Sequence, residues 1–297
     1  MDIIKDTIKE LENRGINGTL LNVVITRFAP WTLSYVRYDD GTIGCGCACN
    51  EAERWGIPED VAFIEELLNL YVYDVLDKLE SLENGVFINS LRTSITSALS
   101  YRLMNGRNEL EKEGYEVEVF HASTTALLDH SRFVQPLDKV AMVGFPSWAI
   151  HLYAGVKNEV HVTELIDLKL LSVIDFDEEN SNVKLFSADE GKDVLSDADV
   201  VYITGETIVN ETINEILDFS KNARVRIIYG PSSAFYPKVL FERGIDVSRP
   251  VIFPNTRDFK QRFVLSRGYW YFMNDVKQML IKKSNETQLR RSGRDIC

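Results

Sequence analysis

Apolar positions recur every three to four residues across Asp2–Asn13, where Ile3, Ile4, Ile8 and Leu11 share one face, so the chain opens with a helix that packs on a sheet. The period then drops to two. Thr19–Phe28, Thr32–Tyr38 and Thr42–Cys49 predict three antiparallel strands, with Asp39-Asp40-Gly41 supplying the residues of a tight hairpin. Glu59–Glu83 reads as one long helix entered through Pro58 and ended by Asn84-Gly85. In Asn89–Met104 small hydroxyls (Ser90, Thr93, Ser94, Ser97, Ser100) are interleaved with Leu91, Ile95, Leu99 and Leu103. That is a helix built either to pack closely or to show hydroxyls to a cleft.

From about Asp138 the pattern changes to short apolar runs alternating with helical segments. Strands are expected at Asp138–Val143, Val160–Glu164, Leu171–Phe176, Asp199–Ile203 and Val225–Tyr229, with helices at Trp148–Ala154 and, last, Asn274–Lys282. Such alternation means α/β with a mainly parallel sheet. Ala198–Ser233 is the tightest unit: a buried strand, the turn Thr204-Gly205-Glu206-Thr207, a helix with Asn210 as N-cap and Glu211 in its first turn, a second buried strand, and the turn Gly230-Pro231-Ser232-Ser233. The expected fold is therefore α/β: a small α+β domain with an antiparallel three-stranded sheet over residues 1–115, then a Rossmann-like parallel-sheet domain over 116–283, joined near 106–136. Residues 284–297, with Arg290, Arg291 and Arg294, read as a flexible tail.

Composition narrows the function. The 297 residues carry a formal charge of −12, which argues against nucleic acid or an anionic membrane as partner. No apolar run reaches the ~20 residues of a membrane span, and the N-terminus is not a signal peptide; a cytoplasmic protein is expected, with a homodimer left open. Of four cysteines, Cys45, Cys47 and Cys49 lie on one strand and Cys297 ends the chain, which is not a disulfide framework. Alternation puts the three strand thiols on one face, ~7 Å apart in succession, too far for a straight strand to bring them all to one ion. Cys45 and Cys47 could share a soft transition-metal ion if the strand bulges at Gly46, with His121 or His130 as a further donor; otherwise they are small core residues.

The turn Gly144-Phe145-Pro146-Ser147 stands where a dinucleotide enzyme would carry three glycines, and its single glycine disfavours that cofactor. Asp175 falls where a ribose-binding acid would lie, or is simply an exposed strand end. The four histidines stand in no metal or triad spacing, and there is no H-E-x-x-H, G-x-S-x-G or P-loop.

Taken in order, VAMVGFP, ADVVYITGETIVNETI, FSKNARVRIIYGPSS and PKVLFERGID resemble the C-terminal Rossmann-like domain of a prokaryotic family described as putative heavy-metal chelation proteins. Thr19–Gly46 and Arg92–Asn105 are similar to the smaller domain of that family, which is like the N-terminal domain of enolase. The resemblance implies a cleft between the domains, a role in handling a metal or a metal-chelating metabolite, and a link to anaerobic corrinoid synthesis.

On these grounds the ligand cleft is expected at the carboxyl edge of the parallel sheet. Its walls would be Gly144, Phe145, Pro146, then Thr204, Gly205, Glu206, Thr207, then Gly230, Pro231, Ser232, faced by Arg92, Ser94 and the glycine strand. Glu206, the only acid of that wall, is the candidate metal ligand or proton acceptor, and Arg92 the countercharge for an anionic ligand. Two functions stay open: binding or processing of a metal ion or small anionic chelating metabolite, and an enzyme acting on a small anionic or nucleotide-like metabolite without metal.

Overall fold

The computed structural model describes residues 2–26, 29–51, 61–82, 85–121, 132–144, 158–165, 182–267 and 276–284. Two sheets organise it. The first is antiparallel, in the order β1 (Gly18–Ile25), β2 (Trp31–Tyr38), β3 (Ile43–Cys49). Its second turn is the expected one: Gly41 takes φ +83°, and Asp40 Oδ1 accepts from Thr42 N at 3.0 Å.

The helix Val86–Met104 lies on this sheet and is buried on nearly every side. Its close approach depends on β3. A Cβ on Gly44 would stand 2.2 Å from Ala98 O, and one on Gly46 2.1 Å from Ser94 O, so only glycine lets strand and helix backbones meet here. The helix hydroxyls serve that packing: Ser34 Oγ and Ser94 Oγ are 2.7 Å apart, Thr96 Oγ1 donates to Arg92 O at 2.8 Å, and Ser97 Oγ donates to Ala234 O at 2.7 Å. Alternation turns Cys45 and Cys47 to the other face, among Leu33, Tyr35, Val251, Phe253 and Phe259.

The long helix expected over Glu59–Glu83 is instead two, Phe63–Leu67 and Val72–Glu80. Between them Asn69 takes φ +64°. The chain breaks there to bond β1, with Leu20 N donating to Leu70 O at 3.0 Å and Asn69 N to Leu20 O at 2.7 Å. Tertiary pairing outweighs local helix propensity. Pro58, the expected entry, lies outside the described residues.

The second sheet has eight strands in the order β4-β11-β10-β9-β8-β5-β6-β7. They are β4 (Tyr115–His121), β5 (Val140–Val143), β6 (Val160–Glu164), β7 (Val183–Ser187), β8 (Val200–Thr204), β9 (Val225–Gly230), β10 (Val247–Ile252) and β11 (Lys277–Lys283). The six from β10 to β7 run parallel, while β11 is antiparallel to both β10 and β4. The fold is thus α/β, with a three-stranded antiparallel sheet and a larger, mostly parallel one. One expected element changes type: the final helix is strand β11, whose Met279, Leu280 and Ile281 are all buried. A short run buried on both faces has no period to separate strand from helix. The expected helix Trp148–Ala154 and strand Leu171–Phe176 lie outside the described residues.

The parallel strands grow outward from β5 through β6 to β7, and then resume on the other side of β5 as β8, β9 and β10. The direction of winding reverses between β5 and β8. In open α/β sheets the crevice beyond the carboxyl ends of such a strand pair is where ligands sit. Among the described residues no helix is long and apolar enough to cross a membrane.

Candidate functional site

The site grows out of three strand ends. β5 runs into Gly144, whose N–H donates to Thr163 O at 2.9 Å and whose φ is +82°; a Cβ there would meet Thr204 Cγ2 at 2.8 Å. β8 runs into Gly205, whose N–H donates to Tyr229 O at 2.8 Å. A Cβ on Gly205 would stand 2.7 Å from Ser233 N, so glycine allows the short helix Glu206–Val209 to press against the turn Pro231–Ser233. That turn reaches the first sheet, because Cys49 N donates to Ser232 Oγ at 2.9 Å. The end of β3 is thereby fixed against the carboxyl edge of the large sheet.

A cavity of about 360 Å³ opens at this junction. Cys49 and Glu51 line it from the end of the first sheet, Gly144, Thr163 and Glu164 from β5 and β6, and Thr204, Glu206, Thr207 and Asn210 from β8 and the helix after it. Asn210 ties the two sides together: its Nδ2 donates to Glu51 Oε1 at 3.0 Å, while its Oδ1 accepts from Thr212 N at 3.3 Å and Thr212 Oγ1 at 2.7 Å. It is therefore not the N-cap expected for the following helix. That helix is Ile213–Phe219 with Thr212 as cap residue, and Glu211 sits outside it at φ +63°. Asparagine closes a local turn on its own carbonyl in preference to starting a helix.

Electrostatics set the character of the cavity. Burial pushes the Glu206 carboxyl up to about 7; the Cys49 thiol, hydrogen-bonded to it, opposes the shift, and the charges of Glu51 and Glu164 reinforce it. The Cys49 thiol is held well above the ordinary thiol range by burial and then by the Glu206 charge. Glu206 is not the only acid of the wall, as the turn alone suggested. Glu51, Glu164 and Glu215 line the same cavity, and no lysine, arginine or histidine is among its described lining residues.

Of the residues expected to form one site, Gly144, Thr204, Glu206 and Thr207 line the cavity, while Gly205 and Ser232 stand behind it as supports. Gly230, at φ +100°, turns the chain into Pro231. Arg92 and Ser94 are not brought there. Arg92 does not line this cavity, its Nη2 donating to Asp2 Oδ2 at 2.8 Å, and Ser94 is locked under β2 by Ser34. Two helix positions apart are about 200° apart round the axis, so the two residues cannot share a wall. Cys45 and Cys47 lie in the apolar cluster, their thiols pushed up by burial, Cys45 to about 12. Phe145, Pro146, Asp175 and His130 lie outside the described residues.

Sequence reasoning missed Cys49, Glu51, Thr163, Glu164 and Asn210. For Glu164 a signal existed: it ends the strand that follows β5 in the chain. Glu51 carries no such mark, because its place depends on a left-handed residue, φ +46°, just after β3.

The strand order defines an α/β protein with a mostly parallel sheet, and the cavity lies at its switch point. The model of a family described as putative heavy-metal chelation matches residues 126–253. Two solved structures of proteins of unknown function from that family share the fold. One, from Pyrococcus horikoshii, aligns with a TM-score of 0.68 at 18% identity, over 95% of this chain and 100% of that one. The other, from Desulfitobacterium hafniense, aligns with a TM-score of 0.63 at 19% identity, over 93% and 98%. An uncharacterized protein of Methanocaldococcus jannaschii is 36% identical over 52 residues, which is 18% of this chain and 20% of that protein's length.

Proposed function

We propose that the cavity binds a metal ion presented by a small chelating metabolite, with Glu206 and Cys49 as the protein groups nearest the ion. The observation that carries this reading is the lining itself: four glutamates and a thiol around one space. Such a set attracts a cation and repels a free anion. The donor chemistry fits a borderline or soft ion, because the Cys49 thiol, which gives up its proton when it ligates a metal, joins the carboxylate oxygens. Among the described residues no three His, Cys, Asp or Glu side chains come together as a complete metal-holding group. The protein would therefore supply part of the coordination shell, and the chelator the rest. Thr163, Thr204 and Asn210 offer hydrogen bonds to the organic part of the ligand, and Val143, Ile216 and Phe219 an apolar wall.

In this reading the cavity lies between two domains, 1–115 and 116–283. The alternative of an enzyme for an anionic metabolite loses its countercharge, since Arg92 is elsewhere. One observation favours catalysis of another kind. A buried carboxyl near 7 is matched to general-base work.

Titration calorimetry of anaerobically prepared protein with Zn²⁺, alone and as its complex with ethylenediamine, a neutral chelator that leaves the ion its positive charge, tests the proposal. Tighter binding of the complex is expected, weakened ~10-fold or more in Glu206→Gln and in Cys49→Ser and unchanged in Cys47→Ala. Wild-type binding no tighter than that of the Glu206→Gln/Cys49→Ser double variant would overturn it.

A further inference from the structure

A second cavity of about 230 Å³ lies where the N-terminal helix Ile3–Asn13, the helix Val86–Met104 and the segment after Glu206–Val209 meet. Arg92 lines it and is only 5% exposed. Its guanidinium is underused. Nη2 donates to Asp2 Oδ2 at 2.8 Å, Nη1 makes a long 3.4 Å bond to Asn89 Oδ1, and Nε has no partner. Asp2 cannot close the fork, because its Oδ1 caps the first helix by accepting from Lys5 N at 3.0 Å. Beside Arg92, Thr93 also lines the cavity, and its fully buried Oγ1 has no partner. Buried donors left unmade are costly, and a guanidinium is shaped for a bidentate carboxylate. Among the described residues, no carboxylate besides that of Asp2 meets these two side chains.

A plain anion, however, does not suit the rest of the lining. Asp2 and Glu211 stand on the same cavity, so the acids outnumber the single arginine. Glu211 is exposed and held at φ +63°, a conformation that a residue with a side chain adopts at a cost. Its carboxylate belongs to the rim opposite Arg92 in charge, which is where an ammonium group would be favoured. Ile3, Ile4, Ile208 and Ile213 add apolar surface to the lining, and the small volume limits the side chain that could sit on it.

We infer that this second cavity is a binding site for a small zwitterion of the α-amino-acid type, its carboxylate on Arg92 and Thr93 and its ammonium toward Glu211 and Asp2. The inference does not depend on the metal reading of the first cavity. The test is thermal-shift and calorimetric titration of the full chain with glycine, alanine, serine and valine, with propionate and ethylamine as single-charge controls. At least one amino acid should raise the unfolding temperature with saturable heat, and neither control should. Arg92→Lys, which keeps the charge but not the fork, should weaken binding ~10-fold or more. Glu211→Gln, which keeps the shape of an exposed side chain and removes its charge, should weaken it comparably. No response to any amino acid, equal response to propionate, or full affinity in both Arg92→Lys and Glu211→Gln would each overturn the site.

Discussion

The middle of β3 and its end contain the same residues in the same alternation, yet they do opposite things. In the middle, Gly44 and Gly46 admit a helix backbone on one face, and on the other Cys45 and Cys47 fill an apolar cluster with Phe253 and Phe259. Two residues later the cover changes. Cys49 is as buried as its neighbours, but its N–H is held by Ser232 and its thiol meets Glu206 at the edge of a cavity. A cysteine's role here is decided by what the strand runs into, not by its spacing along the strand.

The strongest way to break this contrast is at the middle. Gly46→Ala places a carbon 2.1 Å from Ser94 O, a backbone atom of a buried helix that cannot swing aside. A loss of about 3 kcal/mol or more is expected in urea unfolding, whereas Gly85→Ala, with nothing within 4 Å, should stay within ~0.5 kcal/mol. Comparable stabilities for the two variants would mean that β3 and the helix are not in contact as described.

The end of the strand is sharpened by pH. Glu206 is raised from 4.5 to about 7 in the folded protein, so its contribution to stability is present below pH 4.5 and lost as pH rises through 7. Relative to Glu206→Gln, the wild type should lose up to about 3 kcal/mol between pH 4.5 and pH 8, at ~1.4 kcal/mol for each pH unit separating the two values. A pH-independent difference between the two proteins would remove Glu206 from its buried setting.

The cysteines themselves give a smaller effect. Cys47→Ser puts a hydroxyl among apolar side chains and should cost about 1–3 kcal/mol. Cys49→Ser retains a donor toward Glu206 and should cost under ~1 kcal/mol. Equal losses would erase the distinction between the two positions.

Much of this contrast could be read from the residues, and the reason it could not all be read is physical. The parallel strands were legible because Val200–Ile203 and Val225–Tyr229 are β-branched runs bounded by turn residues; the turn after the first gave Thr204 and Glu206 as cavity residues, and the turn after β5 gave Gly144. What failed needed partners far away in the chain. Lys277–Lys283 is a strand because two neighbours bond it, the helix over Glu59–Glu83 breaks because β1 pairs with Leu70, and Arg92 turns from the cleft because Asp2 meets it. Local pattern carries no trace of such contacts. The cysteine run shows the same limit: period two fixed one face for all three thiols, and only the second sheet distinguishes Cys49 from the others.

The smallest effect probes how the two sides of the cavity are joined. Asn210 holds Glu51 with its amide and the backbone of Thr212 with its carbonyl, and Glu51 is one of the charges that raise Glu206. Asn210→Ala removes these bonds and the one accepted from Thr212 Oγ1, and should cost about 1 kcal/mol. It also takes one hydrogen bond from Glu51, whose carboxylate is then held less firmly near Glu206, so the Glu206 carboxyl should titrate lower than in the wild type. Asn210→Asp keeps the acceptor for Thr212 but sets a second carboxylate beside Glu51, and the added negative charge should move Glu206 the other way, upward. Opposite displacements, followed by carbon NMR of the glutamate carboxyls across the titration, are what coupling across the cavity requires. Movement in the same direction in both variants, or none in either, would mean that Glu206 is raised by burial alone and that the end of β3 is only its lid.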